Sequence, residues 1–247
     1  MKLLQKHDLE IEREEVSKEA EMRSHPSTAL PLTIKSPFLD GLTQSEIDSV
    51  LAAAVKRSLT AGTVVVSQET PAAHLFLLAK GRARFFIITP NGKKILLLWL
   101  TEGEIFGVAA LQAHASDYLV STETVRDSTV LAWDKKTIRR LAMRYPQLLE
   151  NAIQVASEYL SFYVATHVAL TCKTASQRMA AVLLNLAHGI GRPTKDGIEL
   201  DITNEELSQA ANVTHFTASR VLSRWEARGA LMKERGKILL RAPEKLV

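Results

Sequence analysis

Apolar positions change their period along the chain, and the changes mark its elements. From Val50 to Trp133 they come in short runs rich in β-branched, aromatic and leucine residues: "GTVVVSQ" (62–68), "HLFLLAKG" (74–81), "RARFFIITPNGKKILLLWL" (82–100) and "STVLAWD" (128–134). Gly62, Gly81, Pro90-Asn91-Gly92 and Gly103 punctuate these runs, so they read as strands separated by turns. Asn91-Gly92 between two apolar runs predicts a hairpin, because both residues tolerate positive φ. Several short strands at this spacing predict an antiparallel roll or barrel.

From Lys135 to about Thr171 the period lengthens and no glycine occurs. Leu149, Ile153, Ala156, Leu160, Tyr163, His167 and Leu170 follow one another in steps of four and three. Such a series lies on one face of a long helix. The seam fits either a helix packed on its own domain or a helical interface between two chains. Its few charges over about three heptads favour the second. Beyond Cys172, "TASQRMAAVLLNLAHGIG" (174–191) is a second amphipathic helix ended by glycines. "RPTKDG" (192–197) reads as a loop and "IELDI" (198–202) as a short strand.

Thr203 is placed to cap the next helix, with Glu206 three residues on to close a capping box. That helix is short. Asn212 follows as a turn residue able to take positive φ, and Thr214 caps a longer helix ended by Gly229. Short helix, tight turn and longer helix make a helix-turn-helix. Leu207, Ala210, Val213, Ala218, Val221 and Leu222 are spaced to fill the angle between the two helices. His215, Phe216, Ser219 and Arg220 are left facing outward, where such a helix reaches base edges in the major groove. Arg220 suits bidentate bonding to guanine, Thr217 or Ser219 suits phosphate or base, and Arg224 extends the basic face. Residues 231–241 predict a two-stranded wing that brings Lys233, Arg235 and Lys237 near the DNA backbone. The alternative is a helical hairpin of another fold with basic solvent faces. The capping box, the wing and the placement of charge weigh against it.

That placement is uneven. The formal net charge is only +4, yet residues 1–171 carry 19 Lys/Arg against 19 Asp/Glu, and residues 172–247 carry 12 against 8. A polyanionic partner should therefore meet the C-terminal third. The single cysteine, Cys172, excludes an intrachain disulfide framework and a four-cysteine metal site built from one chain, and points to a reducing cytoplasm. No apolar run approaches the roughly 20 residues that span a bilayer, so no membrane is expected. The charged residues 1–30 lack the apolar core of a secretory signal. No nucleophile–base pair, metal-ligand spacing or glycine-rich phosphate loop suggests an enzyme.

"PFLDGLTQSEIDSVL", "LAKGRARF", "EGEIFG", the long helix, "QRMAAVLLNLA" and "ITNEELSQAANVTHFTASRVLSRWEARGAL" together resemble the bacterial transcription regulators of the cyclic-AMP receptor protein/FNR (Crp/Fnr) superfamily. The resemblance spans most of residues 36–241. It implies an α+β chain with a cyclic-nucleotide-binding-like β jelly roll, a long dimerisation helix and a C-terminal winged helix-turn-helix. The corresponding segments are a charged extension (1–30), the sensor (31–144), the dimer helix (145–171) and the DNA-binding domain (172–247). Implied partners are a second copy of the chain, double-stranded DNA with a pseudo-palindromic site, and RNA polymerase as a candidate. Thr203, Thr214, His215, Phe216, Thr217, Ser219, Arg220, Arg224 and Lys237 are the expected DNA contacts. Arg220 falls on the family's most regular base-reading arginine. His215 and Phe216 stand where many members carry Arg or a small polar residue and Glu, which implies a different preferred DNA sequence.

The expected effector pocket comprises Gly103, Glu104, Phe106, Gly107, Val108, Tyr118 and Leu119. Family members that bind cyclic nucleotides carry "FGE" followed by an "R-S/T" pair, the Glu holding ribose and the Arg phosphate. Here the first reads "FGV" and the second falls near "DYLV" (117–120), with no Lys or Arg between Lys94 and Arg126. A buried phosphate would lack its counter-charge, so cyclic AMP is disfavoured. An iron–sulfur cluster is disfavoured by the cysteine count. Haem is disfavoured because His74 and His114 stand without a second motif. For Cys172 an inert buried thiol is expected ahead of a redox role. The competing function is a ligand-sensing module whose basic C-terminal domain docks a protein partner.

Overall fold

Alternating strands with one apolar face must pair and then cover that face, and residues 55–134 form two four-stranded sheets. The computed structural model describes residues 34–234 and 236–246; the 1–30 extension and Arg235 lie outside the described residues. After a helix α1 (Gln44–Ala52) come β1 (Val55–Leu59), β2 (Val64–Val66), β3 (His74–Lys80), β4 (Ala83–Ile88), β5 (Lys94–Leu100), β6 (Ile105–Phe106), β7 (Ser121–Thr124) and β8 (Ser128–Asp134). They form four-stranded sheets of order β1-β8-β3-β6 and β2-β7-β4-β5. Pairing β1 with β8 and β3 with β8, both antiparallel, closes the roll across its sequence ends. Trp133 is fully buried, and its indole N–H donates to the Val50 carbonyl of α1 at 2.8 Å. Phe38 packs a tilted ring against it at 6.4 Å.

The hairpin joining β4 and β5 turns over residues 89–93 instead of two residues. Thr89 N–H donates to the Lys93 carbonyl at 3.0 Å, the Thr89 hydroxyl donates to the Asn91 side chain, and it accepts from Lys93 N–H at 3.1 Å. Those side-chain bonds hold a wider loop in which Gly92 takes φ 79° and Asn91 stays out of the positive-φ region.

The long apolar period is split into two helices, α2 (Lys135–Arg144) and α3 (Gln147–Cys172). Pro146 separates them: it lacks the N–H that would continue α2 but has the φ that starts α3. Leu148, Asn151, Ala152 and Val155 are buried on α3. The Asn151 side-chain amide donates to the carbonyls of Phe38 and Asp40 at 2.9 and 2.8 Å.

The remaining elements are α4 (Ala175–Ile190), β9 (Arg192–Thr194), β10 (Gly197–Leu200), α5 (Asn204–Ala210), α6 (His215–Ala227), β11 (Leu231–Glu234) and β12 (Lys237–Leu240). The wing is broader than the expected two strands, because its sheet runs β11-β12-β10-β9. Residues 192–194, read above as loop, pair with β10. The Thr194 hydroxyl donates to the Gly197 carbonyl at 2.9 Å and closes that short hairpin. The described residues fall into two compact units: 34–87 with Trp99–Ala156, and Ile88–Leu98 with the described residues from Ser157 onward. The division runs through α3 itself. Among the described residues no helix is long and apolar enough to cross a membrane.

Candidate nucleic-acid interface

Local capping rules set the ends of both helices of the helix-turn-helix. Thr203 accepts from Glu206 N–H at 3.1 Å while the Glu206 carboxylate accepts from Thr203 N–H at 2.9 Å. Thr214 caps α6 by accepting from Thr217 N–H at 3.2 Å, and its own hydroxyl donates to the Thr217 hydroxyl at 2.9 Å. Asn212 takes φ 48° in the turn between them, as the residue type predicts. Each such cap stabilises its helix by about 1 kcal/mol.

Burial then divides α6 into two faces. Ala218, Val221, Leu222 and Trp225 are buried with Leu207 and Ala211 of the first helix and turn. Ala210 and Val213, expected in that core, are half-exposed; Ala211 and Trp225 are buried there. At roughly 100° per residue, Phe216 and Arg220 lie on the opposite side of the helix. His215, Phe216, Arg220 and Arg224 are exposed, Thr217 and Ser219 half-buried, and Thr203 exposed. Three of the predicted base-reading residues, His215, Phe216 and Arg220, are therefore exposed in the first two turns of α6.

The wing cations are in a different state. Lys237 Nζ meets the Glu199 carboxylate at 3.2 Å, and Arg192 also pairs with Glu199. Those partners, led by the Lys237 hydrogen bond, hold the Glu199 carboxyl below its usual range. Lys233 Nζ meets Glu226 at 2.9 Å. Part of the wing's positive charge is thus neutralised within the sheet and α6, whereas Arg220 and Arg224 stand exposed on the helix.

Sequence reasoning missed Arg178 on α4. Its guanidinium donates to the carbonyls of Ala211 at 3.0 Å, Asn212 at 3.2 Å and Lys173 at 3.0 Å. This clamps the turn that sets the angle of α6. Replacing Arg178 with Met, which keeps the stem and removes the fork, should destabilise the module by roughly 1.5–3 kcal/mol. Arg178→Lys should lose most of the same amount, because an ammonium cannot reach several carbonyls as a planar fork does. Urea unfolding checks this; an unchanged midpoint in both variants refutes the clamp.

In the roll, two glycines at the expected effector site are there for backbone reasons. Gly103 has φ 91°, and a Cβ on it would lie 2.2 Å from the Lys35 carbonyl oxygen. Gly107 has φ 78°, and a Cβ would lie 2.6 Å from the His74 carbonyl oxygen and 3.2 Å from the Tyr118 ring. Phe106 is buried and stacked on Phe76 at 4.9 Å. Tyr118 is buried, its hydroxyl donating to the His74 carbonyl at 2.9 Å and accepting from His74 N–H at 2.8 Å. Burial pushes its phenol above the ordinary value of 10.0, against the pull of these bonds and of the Arg57 charge. Glu104 accepts from Thr101 N–H and hydroxyl at 2.5 and 2.8 Å, so its carboxylate serves the turn. Val108 opens a short 3-10 turn and is half-exposed, while Leu119 is 89% exposed. Of the residues expected to line a pocket, Phe106 and Tyr118 are thus both buried and Leu119 is exposed. The Arg84 guanidinium, on the strand beside β7, is paired with Glu123 at 2.9 Å.

On α3 the seam is open. Leu149, Ile153 and Leu160 are 45%, 59% and 64% exposed; Ala156, His167 and Leu170 are exposed and Tyr163 half-buried. The stripe of Leu148, Ala152 and Val155 is buried instead. The two stripes lie roughly 85° apart around the helix, so the seam is centred away from the face that α3 buries among the described residues. Cys172, expected to be buried, is exposed at the end of α3 beside the Thr171 hydroxyl at 3.5 Å.

Residues 56–145 match the cyclic nucleotide-binding domain, and residues 177–247 match the Crp-like helix-turn-helix domain. The cyclic AMP receptor protein of Thermus thermophilus is 28% identical over 188 residues, covering 76% of this chain and 84% of that one. Electron transport regulator A of Shewanella oneidensis is 22% identical over 213 residues, covering 85% and 81%. Among solved structures, the c-di-GMP responsive global regulator CLP of Xanthomonas campestris superposes with a TM-score of 0.72 at 19% identity, covering 80% of this chain and 99% of that one. A CooA mutant from Carboxydothermus hydrogenoformans superposes at 0.67 with 22% identity, covering 89% and 95%. These structures share the fold.

Proposed function

Since this chain belongs to the Crp/Fnr superfamily of DNA-binding transcription regulators, we propose that it acts as a cytoplasmic homodimer that reads a pseudo-palindromic operator and does not answer to cyclic AMP. The observation that carries the reading is the two-faced α6. Its buried stripe docks it on the module, and its capped start presents His215, Phe216 and Arg220 to solvent, with Ser219 half-buried between them. A helix in the major groove needs that division. The exposed seam Leu149, Ile153, Ala156, Leu160, Tyr163, His167 and Leu170 supports the dimer, because a coiled-coil partner would cover it. RNA polymerase is the natural recipient of the bound dimer.

For the sensor, Val108 replaces the ribose-holding Glu, and Tyr118 lies in the stretch where the family's phosphate-holding Arg falls. That tyrosine is committed to the His74 backbone, and the Arg84 charge is engaged by Glu123. An anionic phosphate would need a counter-charge that these side chains do not offer. These features support a sensor that does not answer to cyclic AMP, and a ligand-free regulator fits equally.

The test is selection of bound sequences from a random DNA pool with purified protein and no added ligand. Recovery of an inverted repeat, bound with a steep salt dependence, is the expected result. A folded protein that enriches no sequence, with or without cell extract, refutes the reading and favours protein docking by the basic module. On the recovered site, Arg220→Ala should cost roughly 1–3 kcal/mol at one base pair per half-site and relax the preference there. An equal loss on every sequence would make Arg220 a phosphate contact.

A further inference from the structure

One exposed side chain in the interface has no chemistry in common with its neighbours. Phe216 is 76% exposed, while the helix around it buries Ala218, Val221, Leu222 and Trp225 on the opposite side. An aromatic ring at that angle has no use in the core. It stands one turn before Arg220, among His215, Ser219 and Arg220, at the end of the helix that would enter the groove. A phenyl ring offers neither donor nor acceptor to a base edge. The apolar feature that the major groove presents is the C5-methyl group of thymine. Pressed against the cytosine amino group or the adenine amino group, the same ring would leave a polar edge without water or partner, which is penalised. Attraction to the methyl and exclusion of the other edges act in the same direction.

We propose that Phe216 is a specificity-determining residue that reads a thymine C5-methyl group, within one or two base pairs of the position read by Arg220. The spacing follows from the helix: residues four apart lie about 6 Å apart along the axis, and successive bases about 3.4 Å apart along DNA. This rests on the proposed function, since it names the base chemistry of that same interface. It also implies that 5-methylcytosine, which carries a methyl at the same place in the groove, substitutes for thymine better than cytosine does.

The experiment replaces each thymine of the selected operator, one at a time, by deoxyuridine, which removes only the methyl group. Wild-type protein should lose roughly fourfold in affinity at one position per half-site and roughly fifteenfold when both half-sites are changed. At that position, 5-methylcytosine paired with guanine should bind more tightly than cytosine paired with guanine. Phe216→Ala should abolish the deoxyuridine effect there and leave the Arg220 preference in place. Phe216→Leu, which keeps an apolar side chain, should retain part of it. Insensitivity of the wild type to every thymine methyl overturns the proposal while the DNA-reading function stands. So does deoxyuridine sensitivity that persists unchanged in Phe216→Ala. A wild type that selects no sequence at all removes the function and this inference together.

Discussion

Leu160→Glu should convert the proposed homodimer into a monomer and abolish binding to an inverted repeat. Leu160 is 64% exposed on the chain itself and sits mid-way along the seam from Leu149 to Leu170. Across a two-fold interface each substitution counts twice. Withdrawing two leucines, each contributing about 2 kcal/mol when buried, raises the dissociation constant by on the order of 1,000-fold. Two carboxylates facing each other in an apolar seam add to that. The buried stripe of Leu148, Ala152 and Val155 is untouched, so each monomer should keep its fold and helical content. Sedimentation and gel-shift titration measure the two consequences. A variant that remains dimeric and binds the operator normally would remove the seam from the interface.

Trp225→Ala should unfold the DNA-binding module while sparing the roll. Trp225 is 1% exposed, and its carbonyl accepts from Ala230 N–H at 2.9 Å where the chain leaves α6. Truncating a buried tryptophan costs about 3–5 kcal/mol, a large share of the roughly 5–15 kcal/mol that stabilises an ordinary domain. For a module of this size the melting temperature should fall by roughly 15 °C or more. Calorimetry should show that loss in one transition, with the transition of the roll, where Trp133 is buried, kept in place. DNA binding should fail above the lowered transition. A shift below about 5 °C would mean that Trp225 does not anchor the recognition helix.

Much of the interface was legible because helix ends obey local rules. The Thr203–Glu206 box, the Thr214 cap and the turn at Asn212 each depend on residues within a few positions of one another. Helical spacing alone marked His215, Phe216 and Arg220 as facing outward, and they are exposed. Trp225 was within reach of the same spacing, three and four residues beyond Leu222 and Val221, but the helix was read as ending its core too early. Pro146 was a plain breaker that the unbroken apolar period concealed. At the expected pocket, neither the close backbone approaches to Gly103 and Gly107 nor the hydrogen bonds of their neighbours were visible in the sequence.

Period, caps and charge placement thus indicate most of the elements, many of the faces they bury and which third of the chain is the more basic. All three act within a turn or two of helix, or along one strand, where sequence separation and spatial separation agree. Contacts across the chain obey no such rule. Arg178 grips Ala211 and Asn212 from another helix, Tyr118 spends its hydroxyl on the backbone of His74, and Glu199 takes up the charge of Lys237. Each joins residues that only folding brings to hydrogen-bond distance, and each alters what a side chain has left to offer a ligand. That is why the recognition helix can be read from its own residues, while the state of the sensor and of the wing depends on partners tens of positions away.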